Sequence, residues 1–271
     1  MKGPMRRTVA QRQVMMFELT FLGTRGEIKT RSRRHRRHSA LFIRHKNARI
    51  MVDCGADWLY LLPAVAPTAI VLTHAHADHA WGLAEGAPCP VYATRQTSTL
   101  LRRFPVRDWR RMPLGKPVVI GGVKFKAHSV QHSIRAPAVG YSISAEGSSF
   151  FYLPDVAWLP NAAHALSGID VYIGDGATIT RPLVRRRAGT LIGHATTATQ
   201  LQWCQEANVR RAVFTHCGSQ VVRGDARRLN AMLRHLGQKA NVDARLACDR
   251  YKLVFTTGGL AQLARPTGQH A

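Results

Sequence analysis

One decapeptide constrains this chain more than any other: THAHADHAWG at 73–82, which follows directly on the short apolar run TAIVLT at 68–73. A β-branched run of that length, with polar residues after it, predicts a buried strand. His74 and His76 stand two apart, so in extended backbone their side chains point the same way. Asp78 and His79 follow at the start of a predicted helix, where adjacent side chains diverge. Four ligands within six residues can therefore serve two neighbouring ions. Imidazole and carboxylate suit Zn, Mn or Fe, and the motif alone does not choose among them. The chain has 13 histidines, so a chance cluster is the ordinary alternative. The position directly after a buried strand argues against it.

The rest of the chain supplies more strands of this kind. VMMFELTFLG (14–23) reads as a strand ending in a glycine turn, and ALFIRH (40–45) with ARIMVDCG (48–55) as a hairpin turning at Lys46 and Asn47. PVYAT (90–94), VKFKAHSV (123–130), AVGYSISA (138–145), SSFFYLPD (148–155), IDVYIGD (169–175), RRAVFTH (210–216) and RYKLVFT (250–256) follow. Helices are expected over 96–104, over 196–208 with a threonine cap, and over 225–238 with Gly237 as its stop. Strands in antiparallel groups, then alternating with helices, predict a layered α/β fold. His74, Asp155, Asp175 and His216 all fall at carboxyl ends of predicted strands, where such folds place ligand sites. One domain is expected over 14–260, with a disordered basic lead-in at 1–13 and a flexible tail at 261–271.

Composition bears on the partner. The formal net charge is +24, and residues 1–50 hold fourteen Lys and Arg against Glu18 and Glu27. Such a field attracts polyanions, nucleic acid first among them, although genome-wide arginine bias would produce the same number. Five scattered cysteines without a CxxC pair indicate neither a disulfide framework nor a zinc ribbon, and a reducing, cytoplasmic location is expected. Apolar runs such as LYLLPAVAP (59–67) are too short to span a bilayer, and no membrane partner is expected.

The pattern HxHxDH, present as His74, His76, Asp78 and His79, resembles the signature of the metallo-β-lactamase superfamily, and the resemblance extends over 16–257. It implies an αββα sandwich, two mixed sheets flanked by helices, around two divalent ions. It also implies the remaining ligands: His132 in SVQHSIRAPAVGY, Asp155 as a bridge in FFYLPD, and His216 in VFTHCG. His74, His76 and His132 would hold one ion, and Asp78, His79 and His216 the other. His128, four residues before His132, is a rival for its place, and Asp155 could instead cap a helix. Asp53 in MVDCGAD resembles the family's structural aspartate that orients a ligand histidine.

Within that superfamily the chain looks closest to the phosphodiesterase branch, which includes RNase Z-type endonucleases and cyclic-phosphate phosphodiesterases. His194 in LIGHATTATQ matches the branch's histidine that assists the leaving group; a helix-start histidine bonded to backbone is the plainer reading. The resemblance implies attack on phosphorus by a hydroxide bridging the ions, with His194 and the ligand Asp78 taking part in the reaction. FLGTRG departs from the branch's FLGTG opening, and the loop after it carries Arg33, Arg34, Arg36 and Arg37. These are expected either to clamp substrate phosphate or to be simply solvated. Arg185, Arg186 and Arg187 form a second basic cluster leading toward His194. The reading is a phosphodiesterase or nuclease acting on RNA or DNA. A thioester or lactone hydrolase of the same fold, and a nucleic-acid-binding protein with a vestigial site, are the alternatives. A homodimer is compatible with all three.

Overall fold

The structure, a computed structural model, describes residues 15–256 and 259–261. The lead-in expected over 1–13 and the tail expected over 261–271 lie, Ala261 apart, outside the described residues.

Residues 15–111 build most of one sheet: β1 (Met15–Gly23), β2 (Ala40–His45), β3 (Ala48–Val52), β4 (Ala69–Val71), β5 (Val91–Ala93) and β6 (Trp109–Arg111). The second sheet takes β7 (Pro117–Ile120), β8 (Val123–Val130), β9 (Ala138–Ala145), β10 (Ser148–Tyr152) and β11 (Val171–Asp175). After a separate two-stranded hairpin, β12 (Arg185–Arg187) with β13 (Thr190–Ile192), it adds β14 (Arg211–Thr215) and β15 (Asp243–Leu246). The chain then returns to the first sheet as β16 (Lys252–Thr256) and β17 (Gly259–Ala261). The orders are β17-β16-β1-β2-β3-β4-β5-β6 and β15-β14-β11-β10-β9-β8-β7. Both sheets are mixed: β3 to β6 pair in parallel, as do β10, β11, β14 and β15, and the remaining pairs are antiparallel.

Alternation fixes which face of each strand turns inward. In β8, Val123, Phe125 and Ala127 are buried between the sheets while Lys124 is exposed. There they meet Leu19, Ile43, Tyr141 and Phe150, with Phe17 stacked on Phe255 at 4.2 Å between ring centroids. Burying each such side chain contributes roughly 1.5–3 kcal/mol. The parallel strand β11 is buried along its whole length, because it is covered on both faces. Its outer face meets α5 (Thr197–Glu206), which α7 (Ala226–Lys239) flanks over β15, and Tyr172, Leu201, Leu229 and Leu233 share one buried cluster there. The first sheet's outer face, with Met51, Ile70 and Leu72, packs under Trp58, Leu62, Leu83 and Leu101. The result is the expected αββα sandwich.

Thr196 and Asp225 cap α5 and α7, each side chain accepting a backbone N–H three residues on. Gly237 does not stop α7, which runs on to Lys239. Its place is a close contact instead: a Cβ there would lie 2.4 Å from the Val242 carbonyl oxygen. All five cysteines are unpaired. No helix among the described residues is long and apolar enough to cross a membrane.

Candidate metal centre

Strands β3, β4, β10, β11 and β14 deliver their carboxyl ends to one edge of the sandwich, and the ionisable residues follow there. Asp53 and His216 leave their strands with φ of 62° and 53°. This left-handed conformation is uncommon outside glycine but several-fold enriched for Asp and His. It turns each chain sharply at the edge where the cluster forms. Asp78 and His79 ride on the single helical turn α2 (Ala77–Ala80), both buried.

Seven side chains converge. His74 Nε2 lies 2.9 Å from His76 Nδ1, and His132 Nε2 lies 3.3 Å from the same atom. Asp155 Oδ2 is 3.4 Å from His74 Nε2, 3.7 Å from His132 Nε2 and 2.7 Å from His79 Nε2. Asp78 Oδ2 is 2.9 Å from His216 Nε2 and 3.3 Å from His79 Nε2, while His216 Nδ1 is 3.2 Å from Asp155 Oδ1. Two groups with ligand spacing result, His74–His76–His132–Asp155 and Asp78–His79–Asp155–His216, with Asp155 common to both.

This geometry fits divalent ions better than a hydrogen-bonded network. His79 Nε2, His216 Nδ1 and Asp155 Oδ1 are buried with no hydrogen-bond partner, although other donor or acceptor atoms lie within about 3 Å. Lone pairs so close yet misaligned for each other are oriented as ligands of a shared cation. The far ring nitrogens are engaged. His79 Nδ1 faces Asp53 Oδ2 at 2.9 Å, His132 Nδ1 faces the Gly193 carbonyl at 3.0 Å, and His74 Nδ1 faces Thr73 Oγ1 at 3.0 Å. Such partners fix the tautomer and aim the other nitrogen inward. Asp53 is itself held by the Thr73 N–H and hydroxyl.

The two halves differ in charge. Burial pushes His74 well below the ordinary imidazole range, brings His76 to about 4 and lowers His132. Burial opposes protonation of His79 and His216 as well, but carboxylates outweigh it there. Asp78 and then Asp155 hold His79 well above its ordinary value, and Asp155 is the leading influence that brings His216 to about 9. An ion entering beside His79 and His216 must displace protons; one entering beside His74, His76 and His132 displaces none. Lowering the pH from neutral is therefore expected to empty the first position before the second. Equilibrium dialysis against zinc should show metal content falling in two steps, and loss in a single step would contradict this difference.

His194 sits beside the centre with about a quarter of its side chain exposed. Its Nδ1 is 2.8 Å from Asp175 Oδ2 and 3.2 Å from Asp155 Oδ1. Burial would lower its pKa, yet Asp175 and then Asp155 outweigh it and hold the ring protonated at neutral pH. With Asp155, Asp175 and His216, His194 also forms a third group of ligand spacing. Asp175 was visible as an acid ending a strand, but nothing in the sequence paired it with His194.

His128 does not join the cluster; its Nε2 faces Ser142 Oγ at 3.0 Å. Arg33, Arg34, Arg36 and Arg37, expected either to clamp phosphate or to be solvated, do not line the cleft. The backbone N–H groups of Arg36 and Arg37 bind the Asp249 carboxylate at 2.9 and 3.2 Å, and the Arg37 guanidinium lies over Trp58. Arg34 lines a separate pocket with Arg234 and Arg245. Asp57 pins the same loop through Arg25, Arg31 and the His38 N–H. The cleft beside the centre, about 960 Å³, takes its cations from Arg181 and Arg223, together with the acid Glu27.

A family model, the β-lactamase superfamily domain, matches residues 48–217. A ribonuclease Z from Bradyrhizobium diazoefficiens is 40% identical over 73 residues, 25% of this chain and 23% of that protein. The chain thus matches under a quarter of the length of that curated relative. Among solved structures, the metallo-β-lactamase fold protein YhfI from Bacillus subtilis superposes with a TM-score of 0.68 at 14% identity, covering 88% of this chain and 99% of that one. A diphosphatase of the PhnP family superposes with a TM-score of 0.66 at 21% identity, covering 89% and 97%. At those identities the likeness is one of fold.

Proposed function

The chain belongs to the β-lactamase superfamily, and from that premise we propose that this metallo-β-lactamase-fold hydrolase is a phosphodiesterase acting on RNA or DNA. The carrying observation is His194, held from behind by the buried Asp175 and lining a cleft that also presents Arg181 and Arg223. In this reading His74, His76 and His132 hold one divalent ion and Asp78, His79 and His216 the other, with Asp155 between them and Asp53 orienting His79. Bound zinc or manganese, with iron a third choice, supplies Lewis acidity toward the phosphoryl oxygens and acidifies water.

The residues supply the rest. Asp175 accepts from His194 Nδ1 and keeps the ring charged, leaving Nε2 to meet the oxygen that departs from phosphorus. An alkoxide leaves poorly without a proton, and an imidazolium beside it provides one. Arg181 and Arg223 offer forked donors to a non-bridging oxygen or a neighbouring phosphate. A thioester expels a thiolate, which needs no such proton; a lactone expels an alkoxide and would use the pair, but it carries no phosphate for the two arginines to meet. Asp78 enters the reaction only through its place beside His79 and His216. The names of the ribonuclease Z relative and the diphosphatase fold neighbour favour phosphorus over carbon as the centre attacked.

The test is hydrolysis of bis(p-nitrophenyl) phosphate after chelation, with zinc or manganese restored, beside a thioester and a lactone. Metal-restored diester cleavage is expected. Carbonyl cleavage without diester cleavage would overturn the reading, and binding of nucleic acid with no turnover of any substrate would favour a vestigial site.

A further inference from the structure

The hairpin β12–β13 stands apart from both sheets. Among the described residues it pairs only with itself, Arg185 opposite Ile192, Arg186 opposite Leu191 and Arg187 opposite Thr190. Its tip, Ala188 and Gly189, has φ of 45° and 76°, the two positive values of a type I′ turn. Residues 185–189 are all exposed, so no buried surface accounts for three consecutive arginines. Among their polar contacts is one bond, from Arg186 Nη1 to the Gly189 carbonyl.

The hairpin's base is fixed to the metal centre. The Gly193 N–H donates to the His132 carbonyl at 3.0 Å, and His132 Nδ1 faces the Gly193 carbonyl at the same distance. The Leu191 N–H donates to the Gln131 side chain at 3.1 Å. The chain entering the hairpin lines the cleft with Arg181 and Leu183, and the chain leaving it does so with His194. At about 3.3 Å per residue, Gly189 at the tip stands roughly 13 Å along the strand from Gly193. A small diester held at the centre would not extend that far.

We infer that this hairpin is a docking arm for backbone phosphates of a nucleic-acid strand whose reacting phosphodiester lies in the cleft; the inference rests on the phosphodiester reading above. Alternation puts Arg185 and Arg187 on one face, about 6.7 Å apart, close to the step between phosphates of an extended strand. A membrane surface is a poorer fit, because the turn carries no large apolar residue to enter the headgroup region.

The experiment is fluorescence anisotropy of a short labelled single-stranded ribo-oligonucleotide, titrated at several salt concentrations in chelator so that no cleavage occurs. The variant Arg185→Ser/Arg186→Ser/Arg187→Ser is expected to bind at least ~10-fold more weakly at low salt and to lose ~1.4 from the log–log salt slope, about 0.7 for each of the two phosphate contacts. The triple lysine variant should restore the slope. As a control, Arg210→Ser/Arg211→Ser removes exposed charges at the opposite end of β14 from His216 and should change binding much less per charge. An unchanged slope in the serine variant, or an equal loss per charge in the control, would overturn the inference. So would loss of phosphatidylserine-vesicle binding with oligonucleotide binding intact. If the wild type cleaves no diester, the reading of the site fails on its own, and this binding measurement still decides the role of the hairpin.

Discussion

Asp155→Ala is expected to abolish metal retention and turnover together, lowering diester hydrolysis by more than ~10³-fold. Among the described residues no other side chain has its reach. One carboxylate oxygen lies against His74, His79 and His132, the other against His194 and His216, and Asp155 belongs to all three groups of ligand spacing. Its removal would take away the one carboxylate common to both ligand groups, and with it the negative charge that would offset two neighbouring cations. It also removes a leading counter-charge of His79 and His216. The substitution sits in a fully buried site, so circular dichroism of the metal-free variant must first show the wild-type fold. Metal content by mass spectrometry of the dialysed protein then decides. Retention of both ions with turnover within ~10-fold of wild type would mean that the centre is held without this residue. Retention of a single ion would assign Asp155 to one half only.

Much of this centre was legible because its ligands are local or follow strong strands. TAIVLT and FFYLP announce buried strands by composition alone, and the residue after each strand end is then exposed to scrutiny. The αββα layering was legible for a similar reason: β8 and β9 match the expected ranges 123–130 and 138–145 residue for residue. The arginine loop was not. A run of like charge shows that the segment is solvated somewhere, but its direction is set by Asp57 and Asp249, and the latter is over two hundred residues away. Asp175 and His194 are nineteen residues apart with a hairpin between them, and only the fold turns one toward the other. That hairpin escaped notice as structure because its first strand is three exposed arginines, without an apolar pattern to read. The strand β6, with its exposed arginines, escaped in the same way. Arg181 and Arg223 carry no signal in sequence at all, since any of 39 Lys and Arg residues could have lined the cleft.

His194→Ala is expected to leave metal content at the wild-type level and to lower kcat on a ribo-oligonucleotide by about 10²–10⁴-fold, the range for loss of a positioned proton donor. The same variant should lose far less on bis(p-nitrophenyl) phosphate. A p-nitrophenolate departs as a stable anion and gains little from a proton, whereas a ribose alkoxide gains much. The ratio of the two losses therefore reports what His194 does, beyond whether it matters. The pH profile carries the same information with a definite sign. In the ion-free protein Asp175 and then Asp155 outweigh burial and raise the pKa of His194 well above its ordinary value; with Asp155 engaged by ions, the Asp175 carboxylate at 2.8 Å is the partner that would keep the ring charged through neutral pH. Wild-type turnover of the oligonucleotide should accordingly hold through neutrality and fall on the alkaline side, and that fall should be absent in the alanine variant. Equal losses on both substrates would move His194 from proton donor to charge stabilisation of phosphorus. Loss of an ion in parallel with activity would be the more serious result. His194, Asp155, Asp175 and His216 have ligand spacing of their own, and metal loss would make His194 a ligand, leaving the leaving group's proton to come from the solvent.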